Sequence, residues 1–114
     1  MTLEIFPEDW TRALAVVAHP DDMEYGAASA VARWTSQGKD VRYLLVTCGE
    51  AGIASMAPAE VGPLRIDEQR RSCAVVGVTD VTFLDHPDGL VEEGLPLRRD
   101  LTREIRRHRP EVLL

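Results

Sequence analysis

The strongest structural signal in the chain is the stretch Leu14-Ala15-Val16-Val17-Ala18-His19-Pro20-Asp21-Asp22. The apolar run over residues 12–18 is continuous rather than alternating, which predicts a strand covered on both faces, as in a parallel sheet. Pro20 restricts His19 to extended geometry and so ends the strand. Residues 24–36 have apolar side chains at helical spacing and predict a helix. A histidine and two carboxylates therefore lie where a buried strand ends and a helix begins.

The same alternation continues along the chain. Apolar runs predict further strands over residues 41–47, 78–84 and 111–114, and helical spacing predicts helices over 63–76 and 96–108. Pro63 and Pro96 suit the first turns of these helices, and residues 48–62 are predicted as a long loop. The order β-α-β-α-β-α-β predicts an α/β fold, a Rossmann-like three-layer α/β/α sandwich with a mostly parallel sheet.

The last predicted strand has only begun when the sequence stops at Leu114. We therefore expect the fold to be incomplete at its C-terminus. In this interpretation residues 1–114 are the N-terminal part of a single domain, and the remainder is missing.

The composition of the chain argues against several classes of function. The chain has 13 basic and 19 acidic residues, a net charge of -6, which argues against a nucleic-acid partner. No apolar run approaches the roughly 20 residues that span a membrane, so no membrane segment is expected. Cys48 and Cys73 are too few for a disulfide framework and predict reduced thiols in a cytoplasmic protein. Homo-oligomerisation is left open.

The loops after the first three strands, residues 19–25, 48–62 and 85–95, should meet at the carboxyl edge of the sheet, where α/β proteins bind ligands. His19 offers a nitrogen and Asp21 or Asp22 an oxygen, and a catalytic zinc takes three such ligands and a water. The second carboxylate could then accept a proton from that water. The alternative is that both aspartates cap the helix and His19 only ends the strand.

Four segments extend the pattern over most of the chain: Ala18-His19-Pro20-Asp21-Asp22-x-Glu24-x-Gly26, Val46-Thr47-Cys48-Gly49-Glu50-x-Gly52, the helix with Arg65-x-x-Glu68 that leads to Val76-Gly77-Val78, and Asp88-Gly89. Together these segments resemble the PIG-L/LmbE-like zinc-dependent de-N-acetylase family. Val76 replaces the leucine of the family's Leu-Gly-Val turn. The resemblance implies that His19 and Asp22 bind Zn²⁺, or another divalent transition metal, and that Asp21 is the general base. It also implies a third ligand, a histidine beyond Leu114.

The resemblance further implies that Arg65, Glu50 and Asp88 handle substrate. From the residues alone, Arg65 could instead pair with Glu68 on an exposed helix face, and Asp88 could simply form a turn. His86 is an additional candidate ligand because His86-Pro87-Asp88-Gly89 echoes the first motif, although a loop histidine beside a proline is more often solvated or substrate-facing.

The function expected from the resemblance is hydrolysis of an N-acyl group, acetyl above all, on an N-acetylglucosamine-type amino sugar or its conjugate. The partner would then be a small-molecule amino sugar. The alternative is a catalytically incomplete or degenerate Rossmann-like binding module. A dinucleotide binder is disfavoured because the first strand is not followed by Gly-x-Gly-x-x-Gly.

Overall fold

The computed structural model describes residues 1–114 and contains a parallel sheet of four strands in the order β3-β2-β1-β4. The strands are β1 (Arg12–Val17), β2 (Asp40–Leu45), β3 (Val81–Phe83) and β4 (Val112–Leu113). β1 lies between β2 and β4, and it pairs with β2 from Arg12 and Asp40 to Val17 and Leu45. The predicted α/β fold with a parallel sheet is confirmed.

Four helices connect or precede these strands: α1 (Asp22–Gly26), α2 (Ala28–Ser36), α3 (Pro58–Val75) and α4 (Leu95–His108). The single helix predicted over 24–36 is two helices, because Ala27 has a non-helical φ of -147°. α3 begins at Pro58, five residues before the predicted start. Pro63 therefore lies inside the helix, where Val61 and Gly62 are buried and anchor the first turns.

The two faces of the sheet carry different side chains. Alternate residues of β1 and β2, including Ala15 and Tyr43, join one core cluster with α2 and α3. On the opposite face, Arg42 of β2 reaches His108 at the end of α4. Strands β1, β2 and β3 follow one another toward one edge of the sheet, whereas β4 lies beyond β1 at the other edge. Right-handed connections therefore place α4 on the opposite face of the sheet from the other helices.

The N-terminal segment packs onto α2. Trp10 meets Trp34 edge-on, with ring centroids 5.2 Å apart, and Phe6 lies 5.4 Å from the same ring. Glu8 accepts hydrogen bonds from Arg33 and Gln37. None of the helices has both the length and the apolar character required to cross a membrane.

Candidate active site

The first His-Pro-Asp loop, residues 19–22, follows β1 and turns directly into α1. His19 Nδ1 lies 2.8 Å from Asp22 Oδ1, and the two side chains are 46% and 30% exposed. Asp22 Oδ2 also accepts hydrogen bonds from the backbone N–H groups of Ala18 and His19, both at 3.1 Å. The Asp22 carboxylate thus fixes the end of β1 and orients the histidine beside it.

Asp21 has an unusual backbone. Its φ is 85° and its ψ is -20°, in the left-handed region that costs a non-glycine residue roughly 1–2 kcal/mol. Its side chain makes no capping hydrogen bond to α1; instead Oδ2 accepts a hydrogen bond of 3.0 Å from Arg65 Nη2. Because the Asp21 carboxylate is 62% exposed, it remains open to a ligand.

Arg65 of α3 joins the first loop to the segment that follows β2. Besides Asp21, its guanidinium donates to the carbonyl oxygens of Pro20 at 3.1 Å and Gly49 at 2.9 Å. A Cβ on Gly49, whose φ is 67°, or on Gly52 would collide with Nη1 of Arg65. Arg65 is only 14% exposed and forms no ion pair with Glu68, so it does not belong to a solvated helix face.

Gln69 and Ser72 are site residues that the sequence analysis did not identify. Gln69 Oε1 faces the N–H of Asp21 at 3.4 Å, and its Nε2 donates to Glu24 Oε1 at 2.8 Å. Ser72 donates to the same Glu24 oxygen at 2.8 Å. The available signal was the spacing of Arg65, Gln69 and Ser72, which places three polar side chains on one face of a helix.

Behind this network lies a buried phenol. Tyr43 is 1% exposed, and both its hydroxyl and Glu24 Oε2 are buried without a hydrogen-bond partner. Burial raises the pKa of Tyr43 well above its ordinary value, and Cys73 and Glu24 raise it further. The phenol therefore stays protonated at any physiological pH.

The second His-Pro-Asp loop, residues 86–89, is tied to the loop after β2. The N–H of Asp88 donates to Glu50 Oε1 at 2.7 Å, and the N–H of Ala51 donates to Asp88 Oδ2 at 3.0 Å. Burial raises the pKa of the Glu50 carboxyl, but hydrogen bonds from backbone N–H groups and from Cys48 outweigh it, so the pKa falls below its usual value. The carboxylates of Glu50 and Asp88 thus each accept a hydrogen bond from the backbone of the other loop and hold the two loops together.

His86 is held by α4. Its Nε2 lies 2.9 Å from Asp100 Oδ2, and the two side chains are 15% and 12% exposed. The hydrogen bond from His86 lowers the pKa of Asp100, with smaller contributions in the same direction from Arg99 and Arg103. No three His, Cys, Asp or Glu side chains converge as a metal cluster, so the structure does not bring His86 to the pair of His19 and Asp22.

A cavity of about 310 Å³ opens between the first two strand ends and the second His-Pro-Asp loop. Its lining consists of Ala18, His19, Thr47, Asp88, Gly89 and Val91. Buried Thr47 supports one wall, since its hydroxyl donates to the Ala18 carbonyl and accepts from the Gly49 N–H. Three larger concavities lie away from these groups, two along α4 and one between the end of α3 and β3.

The chemistry of the first loop suits a borderline divalent cation. His19 Nδ1 and Asp22 Oδ1 face each other at 2.8 Å, so one cation could be held by both side chains. An imidazole nitrogen beside a carboxylate oxygen is a donor set for Zn²⁺ and similar transition metals. These two residues could supply two of the three protein ligands that a catalytic zinc site requires.

The sequence is similar to known proteins over most of its length. Residues 14–114 match the PIG-L family, described as GlcNAc-PI de-N-acetylase. A diacetylchitobiose deacetylase of Thermococcus kodakarensis is 31% identical over 108 residues, which cover 93% of this chain and 40% of that protein. A 1D-myo-inositol 2-acetamido-2-deoxy-alpha-D-glucopyranoside deacetylase of Thermomonospora curvata is also 31% identical, over 90% of this chain and 44% of its own.

Solved structures agree with this similarity. The N,N'-diacetylchitobiose deacetylase of Pyrococcus horikoshii superimposes with a TM-score of 0.89 at 26% identity, over 93% of this chain and 40% of that chain. A 4-carboxy-2-hydroxymuconate hydratase of Pseudomonas putida also shares the fold, with a TM-score of 0.81 at 26% identity over 90% of this chain and 45% of that one. The chain therefore spans less than half the length of these relatives. With the family match over residues 14–114, the chain belongs to the PIG-L family of de-N-acetylases.

Proposed function

We propose that the protein is a metal-dependent hydrolase that removes an N-acyl group, acetyl above all, from an N-acetylglucosamine-type sugar or its conjugate. The first His-Pro-Asp loop carries the proposal. It sets a histidine–carboxylate pair beside the cavity and keeps a second carboxylate, Asp21, outside that pair. The two curated relatives named above act on different acetamido sugars, which supports the substrate class.

His19 and Asp22 would hold the metal, Zn²⁺ or another divalent transition metal. A metal there would act as a Lewis acid on the amide carbonyl and would acidify the attacking water. Because no third His, Cys, Asp or Glu side chain forms a cluster with these two, we propose a third ligand outside residues 1–114. Residues 1–114 are then the N-terminal part of one deacetylase domain. His86 is the competing choice for the third ligand, but it does not form a cluster with His19 and Asp22.

Asp21 would be the general base. Its carboxylate accepts a proton as water adds to the amide carbon, and it returns that proton to the nitrogen as the C–N bond breaks. The products are a carboxylate and the free amine of the sugar. The contact with Arg65 leaves Asp21 more than half exposed, so the oxygen that takes the proton remains accessible.

Asp88 is the proposed direct contact for sugar hydroxyls, because it lines the cavity and uses only Oδ2 in a protein hydrogen bond. Arg65 and Glu50 were expected to bind substrate as well. In the structure Arg65 donates to three protein oxygens, and both Glu50 oxygens have protein partners. We therefore propose that Arg65 and Glu50 do not contact the substrate directly but hold the loops that surround it.

We also propose that the protein works in the cytoplasm. Cys48 and Cys73 are both free, and burial raises the pKa of each thiol, which fits structural thiols in a reducing compartment.

Acetate release by the full-length protein tests the proposed function. The substrates are diacetylchitobiose and a 2-acetamido-2-deoxyglucosyl inositol, each with zinc and with a chelator. Asp21→Ala should keep its bound metal and lose at least about 100-fold in kcat, since a general base contributes about 10²–10⁴. Asp67→Ala is the matched control, because Asp67 pairs with Arg71 on the exposed side of α3.

Full activity of Asp21→Ala would refute the role of the base. A wild-type protein without bound metal and without turnover would favour the alternative, a catalytically incomplete binding module. Because a hydratase shares the fold, release of acetate rather than loss of substrate alone is the required signal.

A further inference from the structure

We propose that α3 carries a positioning device for Asp21, with Gln69 as its central residue. The device is a polar stripe of three side chains, Arg65, Gln69 and Ser72. The inference rests on the proposed role of Asp21 as the base, and it adds what sets the position of that base.

The need for such a device comes from the Asp21 backbone. A non-glycine residue at φ 85° is strained, and it persists only where its surroundings fix it. The stripe supplies contacts on both sides of the residue. Gln69 Oε1 faces the Asp21 N–H, while Arg65 binds the preceding carbonyl, of Pro20, and the Asp21 carboxylate. The left-handed turn is therefore held from α3 in addition to the hydrogen bonds within the loop itself.

Glu24 determines which way the Gln69 amide points. A carboxylate can only accept hydrogen bonds, so the Gln69 Nε2 must face Glu24 and its Oε1 must face Asp21. Ser72 donates to the same Glu24 oxygen and holds that carboxylate in place. Gln69 is 4% exposed, so water has little access to replace either contact.

The three residues can act together because they share one helix. The spacing of four and then three residues aligns them on one face of α3. The helix is fixed at both ends by buried side chains, Val61 at 0% and Cys73 at 1% exposure. Through α3, the position of the Asp21 carboxylate is therefore fixed relative to the core of the domain.

The first test replaces the amide by an apolar chain of similar length, Gln69→Met, in the full-length protein. The ¹H–¹⁵N resonance of Asp21 should shift and its amide should exchange faster with solvent. The metal content should not change. kcat should fall about 10- to 100-fold with KM within about twofold, because a small displacement of a catalytic group lowers the rate rather than binding. Gln37→Met is the matched control, since the side chain of Gln37, the other glutamine, hydrogen-bonds only to Glu8, remote from Asp21.

A second variant keeps the proposal testable if Gln69→Met does not fold. Glu24→Gln retains an acceptor for Gln69 but no longer dictates its orientation. The Asp21 resonance should then broaden or split, and kcat should fall by a smaller factor than in Gln69→Met. An unchanged Asp21 resonance and exchange rate in whichever variant folds would overturn the proposal. The resonance needs neither metal nor turnover, so an inactive wild type would refute the proposed function while this readout still decides the positioning role.

Discussion

The two His-Pro-Asp loops share three residues and differ in what surrounds them. In the first, His19 is 46% exposed and pairs with Asp22 of its own loop. In the second, His86 is 15% exposed and pairs with Asp100 of α4. His19 lies beside the cavity together with a carboxylate of its own loop, whereas His86 attaches its loop to α4.

The fourth residue explains part of this difference. Asp22 reaches back to the backbone at the end of β1 and to the histidine ring. Gly89 occupies the same place in the second loop, has a φ of 79°, and supplies a turn without strain. In the first loop the left-handed residue is Asp21, which must be held from α3. A shared tripeptide therefore does not imply shared chemistry.

Asp22→Gly would convert the first loop into a copy of the second and should have the largest effect. It removes a proposed ligand and the anchor of the β1 end, so metal affinity should fall by more than the roughly 10- to 100-fold that loss of a supporting partner costs. Titration with zinc followed by calorimetry measures this. Affinity equal to that of the wild type would show that Asp22 is not a ligand.

Asp100→Asn should destabilise the fold without changing metal affinity. The pKa of Asp100 is lowered below its ordinary 3.8 in the folded state, with the hydrogen bond from His86 as the largest cause. Its contribution to stability is thus present above 3.8 and lost as the pH falls through the lower folded value. Denaturant unfolding near neutral pH and at about pH 3 should show a smaller loss on acidification in the variant. An identical pH dependence would contradict the role of the pair.

Gly89→Asp would give the second loop the residues of the first. Nothing lies within 4 Å of an added Cβ, so the cost should be the backbone strain alone, about 1 kcal/mol in the free energy of unfolding. Zinc binding should not increase, because His86 remains bound to Asp100. Gly94→Asp is the control: its φ of 173° suits any residue, and it precedes α4, where aspartate is favoured. Binding of a second zinc ion by Gly89→Asp would contradict the claim that the surroundings of His86 prevent metal binding.

Glu8→Gln, remote from both loops, should have the smallest effect. Hydrogen bonds from Arg33 and Gln37 lower the pKa of Glu8 from 4.5 to about 2, against the opposing effect of burial. The stabilisation is present above 4.5 and is lost as the pH falls toward 2, so the variant should flatten the acid limb of the unfolding curve. Metal affinity at neutral pH should be unchanged. A change in metal affinity in Glu8→Gln would mean that metal binding responds to general destabilisation of the fold.

The sequence predicted the order of strands and helices, because β1 is a continuous apolar run and α4 has clear helical spacing, but β3 covers only Val81–Phe83 of the predicted 78–84. It missed the start of α3, since Pro63 is as strong a helix-start signal as Pro58. It missed the break at Ala27 as well, because the apolar spacing continues through that residue.

The site was predictable only in its dense first loop. Gln69 and Ser72 look like ordinary polar surface residues until the first loop is placed against α3. The partner of His86 is Asp100, fourteen residues away on a helix, and no local pattern identifies it. Contacts made between elements are set by tertiary packing, which sequence periodicity does not encode.

Metal content tests the central claim most directly. The full-length wild type, His19→Ala and His86→Ala proteins would be purified in parallel, dialysed against the same zinc buffer and measured by elemental analysis. We predict about one zinc per chain in the wild type and in His86→Ala, and almost none in His19→Ala. Retention by His19→Ala, or loss from a folded His86→Ala, would contradict the assignment of the metal to the first loop.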